Sequence, residues 1–115
     1  MTDVIMRQGN LRPFLDVTLS DVSGPVDLSG ETVRFVMRST DNTMTADQTS
    51  TGAQVVILAT GTSGGVRYKW LDTDTVTPGS FLGEFEMYPT GSSSEFMTFP
   101  NSGHIEIVVT PELST

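Results

Sequence analysis

The feature that most constrains this chain is a set of short runs in which apolar and polar residues alternate. Such runs occupy residues 13–20, 32–38, 66–70 and 81–87, and they are separated by Gly, Pro, Ser, Thr, Asn and Asp. A period of two places successive side chains on opposite faces of a strand, and no stretch of ten or more residues has the period of a helix. The pattern therefore predicts an all-β chain.

The number and spacing of these runs indicate one domain. A final alternating run at 105–109 brings the total to about seven strands with turns about every ten residues, which is typical of a two-sheet antiparallel β-sandwich. We expect this single domain to span residues 11–115, with Trp70 in its core. Residues 1–10 are interpreted either as an N-terminal arm that pairs with a neighbouring molecule or as the first strand of the same sandwich.

Three segments allow less regular predictions. Residues 39–52 are polar, and we expect a long loop or a frayed edge segment there. Residues 53–59 form a continuous apolar run, which favours a strand buried on both faces. If the strands at 66–70 and 81–87 pair, Arg67 and Lys69 lie across from Glu84 and Glu86.

The distribution of charge argues against some classes of partner. The net charge is −8, and residues 70–115 carry seven acidic side chains and no Lys or Arg. Binding to nucleic acid or to an anionic membrane surface requires cations, so we expect neither partner. From the first residues we expect no signal peptide. The sequence contains no apolar run long enough to cross a membrane and no cysteine, which excludes thiolate chemistry.

The search for catalytic and cofactor sites finds two weak candidates. Residues 61–65 match the G-x-S-x-G pattern of a hydrolase nucleophile at Ser63, and His104 follows in the chain. That pattern requires a helix after the serine, whereas a strand is expected here, so a hairpin turn is favoured. Asp72 and Asp74 could offer oxygens to calcium, but a solvated turn is favoured because the rest of the calcium-loop signature is missing. We therefore expect no enzyme activity, no cofactor and no metal.

Several segments together resemble the N-terminal immunoglobulin-like domain of phage baseplate upper proteins. They are the turn at 27–30 with the strand after it, residues 65–70, residues 79–86, and residues 97–107. The most specific is the Thr-Phe-Pro-Asn-x-Gly turn before an alternating strand, which comprises Thr98, Phe99, Pro100, Asn101 and Gly103.

The resemblance implies an immunoglobulin-like sandwich that docks onto other virion structural proteins without catalysis. It implies a phage tail or baseplate protein in the virion, assembled in the host cytoplasm. Docking by such a domain would use strand edges, loops and termini. The candidate interaction residues are Val4, Ile5, Met6, Arg7 and Arg12, whose two arginines could meet the acidic C-terminal half of another copy in a homo-oligomer.

Three alternatives remain open. The same kind of module could decorate a capsid or sit at a head–tail joint. A carbohydrate- or cell-surface-binding sandwich would need exposed aromatic rings, and only Tyr88 and Phe96 are expected to be exposed. A small hydrolase would use Ser63 and His104.

Overall fold

The chain folds into strands joined by short turns. The computed structural model describes residues 3–58, 62–89, 97–100 and 104–111, and within these ranges the only helical element is a 3₁₀ turn at Asp72–Asp74. The strands are Val4–Arg7 (β1), Leu15–Thr18 (β2), Ser20–Asp21 (β3), Gly24–Pro25 (β4), Glu31–Ser39 (β5), Met44–Thr49 (β6), Val55–Ile57 (β7), Gly65–Tyr68 (β8), Gly79–Pro89 (β9), Met97–Phe99 (β10) and Ile105–Thr110 (β11).

The strands form a large sheet, a small sheet and a ribbon. The large sheet has the order β1-β11-β9-β5-β6, with β10 paired to the second half of β9. The small sheet has the order β2-β8-β7, and β3 and β4 pair with each other. All of these pairs are antiparallel except β1 with β11, which is parallel.

Aromatic side chains join the two sheets. The ring of Phe35 on β5 lies 4.2 Å from the ring of Tyr68 on β8 and 5.0 Å from that of Phe85 on β9. Trp70 packs edge-on against Phe35 and Tyr68, and its indole N–H donates to the carbonyl of Pro13 at 3.0 Å. The fold is therefore all-β and sandwich-like, and Trp70 lies in the core as predicted.

The alternation predicted for the main strands is confirmed. Val33, Phe35 and Met37 on β5 are fully buried, whereas Arg34 and Arg38 on its other face are partly exposed and Val36 on that face is 7% exposed. The same contrast holds along β9 and β11, whose inward residues contribute to one core. These strands have a dry face and a wet face, which is the pattern the sequence displays.

The loop predicted over residues 39–52 is wrong, and the edge alternative is correct. Residues 40–43 form a turn, and β6 then runs antiparallel to β5 at the edge of the large sheet. Ala46 is the buried residue of this strand, while Met44 and Asp47 are exposed. An edge strand buries few side chains, which explains why the sequence of β6 is so polar.

The strand predicted over residues 53–59 is shorter and less buried than expected. Only Val55–Ile57 form β7, which lies at the edge of the small sheet beside β8. Val55 is buried, but Val56 and Ile57 are half-buried because no strand covers the outer side of β7 among the described residues. Ala59 lies outside those residues.

The cross-strand ion pairs expected between β8 and β9 do not form, because these strands belong to different sheets. Arg67 instead pairs with Asp16 on the neighbouring strand β2, with an N–O distance of 2.7 Å. Glu86 accepts a hydrogen bond from Arg34 on β5 at 3.2 Å. The acidic C-terminal half therefore finds one of its cations in the N-terminal half of the same chain.

Candidate functional site

The four N-terminal interaction candidates form a strand of the chain's own large sheet. Val4 and Met6 point inward, and Met6 is 1% exposed, so it is unable to contact another molecule in this fold. Ile5 and Arg7 point outward; Ile5 is 66% exposed, and Arg7 donates to the carbonyl of Pro111 at 3.2 Å. Residues 1–10 are interpreted from the sequence as either an arm or the first strand of the sandwich, and in the structure Val4–Arg7 form a strand that pairs with β11.

Arg12 lies apart from β1, in the segment that leads into the small sheet. Its guanidinium carbon is 5.4 Å from the centre of the Phe14 ring, and that of Arg67 is 5.2 Å from the same ring. A cation over an aromatic face is an attractive contact. Arg7 is the last residue of β1, whereas Arg12 lies outside any strand, in the segment before β2.

The turn at residues 98–103, on which the sequence resemblance most depends, is partly described. Thr98 and Phe99 belong to β10, and Phe99 is buried against the core, whereas Pro100 is exposed. Asn101 and Gly103 lie outside the described residues. The described part of this turn thus contributes to the core and to the rim of a cleft.

The outer face of the large sheet carries an apolar stripe that the sequence analysis did not identify. Directly opposed residues of antiparallel strands point to the same face. Leu82 on β9 lies opposite Arg38 on β5, and Ser80 lies opposite Val108 on β11. Val108, Leu82 and Val36 consequently follow one another diagonally across three strands, and Ile5 lies beside Val108 on β1. We name these four residues the outer stripe. Such a contiguous apolar run on the solvent face of a sheet is a signal for a docking surface.

The outer stripe ends in a hollow. This hollow has a volume of about 350 Å³ and is lined in part by Val36, Leu82, Arg38, Glu84 and His104. Val36 is only 7% exposed, although it points away from the core, because neighbouring side chains surround it. The site therefore combines an apolar floor with a cation on one side and a carboxylate on the other.

The charged residues beyond Val36, namely Arg34, Asp47 and Glu86, already form ion pairs within the chain. Arg34 donates two hydrogen bonds to the carboxylate of Asp47, at 2.7 and 2.8 Å, and a third to Glu86 at 3.2 Å. The hydrogen bond from Arg34 holds the pKa of Asp47 below its usual value, and Asp47 in turn raises the pKa of Arg34. Arg38 donates to the carbonyl of Asn42 at 3.0 Å, and within the described residues no carboxylate forms an ion pair with it.

A second feature is an apolar cleft along the free edge of β2. It has a volume of about 450 Å³, and its lining includes Leu15, Val17, Phe99, Ile105 and the exposed His104. β2 is the outermost strand of the small sheet, so half of its backbone groups point toward solvent along this edge. The described residues thus leave one strand edge open beside an apolar cleft.

The two catalytic candidates, Ser63 and His104, lie before different strands of the fold. Ser63 is exposed in the hairpin turn between β7 and β8, and a strand follows it instead of the helix that a nucleophile elbow requires. His104 lines the cleft and the hollow described above, whereas Ser63 lines neither. Ser63 and His104 therefore share neither the cleft nor the hollow.

The calcium candidate is a structural turn. Asp74 is 4% exposed, and one of its oxygens accepts hydrogen bonds from the hydroxyl of Tyr68 at 2.6 Å and from the amide of Leu71 at 2.8 Å. Burial raises the pKa of this carboxyl despite the two hydrogen bonds. The solvated turn expected here is therefore wrong for Asp74, because its side chain points into the core.

The described residues contain neither a cluster of metal-ligating side chains nor a helix able to span a membrane. Among the described residues, no group of three or more His, Cys, Asp or Glu side chains is placed to hold a metal ion. The same residues contain no helix with the length and apolar character needed to span a bilayer. No protein-family model matches the chain, and comparison with curated proteins finds no match.

Proposed function

We propose that this chain is a non-catalytic docking module of a bacteriophage virion, built on an immunoglobulin-like sandwich and located in the tail or baseplate. The observation that carries the docking role is the outer stripe, whose Ile5 and Leu82 are exposed apolar side chains on a sheet face where polar residues are the norm. The chemistry of this face suits a protein partner, because its ion pairs lie beside apolar surface and no cluster of free cations accompanies it.

The order of the strands supports the immunoglobulin-like assignment. In that fold, one sheet contains strands B, E and D, and the other contains G, F and C, to which variable-type domains add C′. The small sheet β2-β8-β7 matches the first order, and β11-β9-β5-β6 matches the second. β1 departs from the constant-type arrangement, since it joins the second sheet instead of the first.

The placement in a phage tail or baseplate rests on the sequence resemblance, whose most specific turn leads into β11. Capsid decoration and a head–tail joint would use the same kind of surface, and the location of the protein on the particle distinguishes them. The partners in each case are other virion structural proteins.

The carbohydrate-binding alternative receives less support from the described aromatic residues. Tyr88 and Phe14 are half-buried, and a stacking platform for sugars needs rings that face solvent. The remaining described rings are buried: Phe35, Tyr68, Trp70, Phe81, Phe85 and Phe99. Phe96 lies outside the described residues.

Immunogold electron microscopy of purified particles tests the proposed function. An antibody against the folded protein should label intact virions at the tail or baseplate, and mass spectrometry should detect the chain in the same particles. Label on the head would favour capsid decoration. Absence of the chain from purified particles would contradict a virion role.

A further inference from the structure

We propose that the outer stripe binds a second copy of this chain, in a two-fold dimer whose axis runs along the stripe. This inference rests on the docking role proposed above and names the partner of that surface. It follows from the order of four side chains on the outer face of the large sheet.

The four side chains form a square on β5 and β9. Arg38 lies opposite Leu82, and Val36 lies opposite Glu84, in the register of the two antiparallel strands. The two apolar residues occupy one diagonal of the square, and the two charged residues occupy the other. The apolar diagonal continues from Leu82 to Val108, and the exposed Ile5 lies directly beside Val108 on β1.

This square is self-complementary. When two identical faces meet about a two-fold axis that lies along the apolar diagonal, each side of that diagonal exchanges with the other. Strands lie about 4.8 Å apart, and alternate residues of a strand about 6.8 Å apart. With those spacings, Arg38 of one copy falls about 3 Å, measured in the plane of the sheet, from the position of the partner's Glu84.

The charges within one copy are available for this exchange. Arg38 and Glu84 form no ion pair with each other, since the guanidinium of Arg38 donates to the carbonyl of Asn42 instead. Arg34 of the same face is satisfied by Asp47 and Glu86. A second copy would therefore add two ion pairs, each at the border of the apolar contact, where charge pairs set specificity and orientation.

Apolar contact and charge order are both required for this choice of partner. Stripe on stripe covers Leu82, 37% exposed, and Ile5, 66% exposed. A two-fold axis at right angles to the apolar diagonal would also superimpose the two diagonals, but it would place Arg38 against Arg38 and Glu84 against Glu84, and other in-plane rotations make the diagonals cross. The second copy is thus the occupant for which both the apolar and the charged positions of the face match.

The test is a charge exchange measured by sedimentation velocity over a concentration series. The wild-type chain should approach twice its 12.4 kDa mass as concentration rises. Arg38→Glu alone and Glu84→Arg alone should each raise the dissociation constant about tenfold or more, because each places like charges in contact twice per dimer. An equimolar mixture of the two variants should associate as a heterodimer, and the double variant should associate with itself.

The control is Lys69→Glu, which makes the same charge change just after β8, away from the outer stripe, and should leave association unchanged. Far-ultraviolet circular dichroism and thermal unfolding establish that each variant is folded. The proposal is overturned if the wild type stays at 12.4 kDa throughout, or if the mixture does not associate better than either variant alone. Failure of the proposed virion role appears instead as absence from purified particles, which is a separate readout.

Discussion

Asp74 carries a carboxylate into the interior of this fold. Its Oδ2 atom accepts hydrogen bonds from Tyr68 and Leu71, and these bonds fix the 3₁₀ turn between β8 and β9. Burial outweighs them and raises the pKa of Asp74 above its usual value of 3.8. A group with a raised pKa in the folded state binds its proton more tightly there than in the unfolded chain, so its protonation favours folding.

We therefore predict that the contribution of Asp74 to stability is greatest at or below pH 3.8 and is lost as the pH rises through the raised pKa. Urea unfolding of wild type and Asp74→Asn across this window measures it. The free energy of unfolding of wild type minus that of the variant should fall as pH rises. Asp21→Asn controls for the loss of one negative charge. A difference that increases with pH would contradict the assigned burial of this carboxyl.

Gly64 provides a second test at the residue scale, because it sits at φ +72° in the turn before β8. A Cβ there would approach the carbonyl oxygen of Leu19 to 2.5 Å, whereas a Cβ on Gly30, at φ +74°, meets nothing within 4 Å. We expect Gly30→Ala to cost about 1–2 kcal/mol, the ordinary cost of a left-handed residue. Gly64→Ala should cost more, about 3 kcal/mol or above. Equal midpoints in urea would show that the close approach is absent.

At the scale of elements, a strand could be predicted from the sequence when its two faces differ clearly in burial. β5, β9 and β11 each have one buried face and one less buried face, so the alternation of their sequences identified them. β6 and β7 lie at sheet edges, where burial is incomplete, and their sequences resemble a loop and a core strand respectively. The parallel pairing of β1 with β11 joins residues about one hundred positions apart, and no local pattern encodes it.

The placement of β1 predicts that substitutions at the adjacent residues Met6 and Ile5 differ strongly in their effect on the free energy of unfolding. Met6→Ala should lower the free energy of unfolding by about 2–5 kcal/mol, because it opens a cavity in the core. Ile5→Ser, at an exposed position on the other face, should stay within about 0.5 kcal/mol. Chemical denaturation of both variants measures this. If β1 were a detached arm, Met6→Ala would leave the stability of the domain unchanged.

At the scale of the whole molecule, the outer stripe could not be recognised in the sequence because its residues come from distant segments of the chain. Ile5, Val36, Leu82 and Val108 lie on four strands, and each is a single apolar residue on a wet face. Single exposed apolar residues are common and carry no signal, so only the strand order reveals that these four are contiguous. The sequence nevertheless predicted the all-β fold and the core position of Trp70.

The measurement that tests the central proposal most directly is the incorporation of a variant into virus particles. Leu82→Glu places a charge in the middle of the outer stripe without touching the core, and Lys69→Glu makes a charge change just after β8, away from the stripe. With each variant supplied in place of the wild-type chain, quantitative mass spectrometry of purified particles counts the copies. We predict that Leu82→Glu is folded but largely lost from particles, whereas Lys69→Glu is retained. Equal incorporation of the two variants would contradict docking through this face.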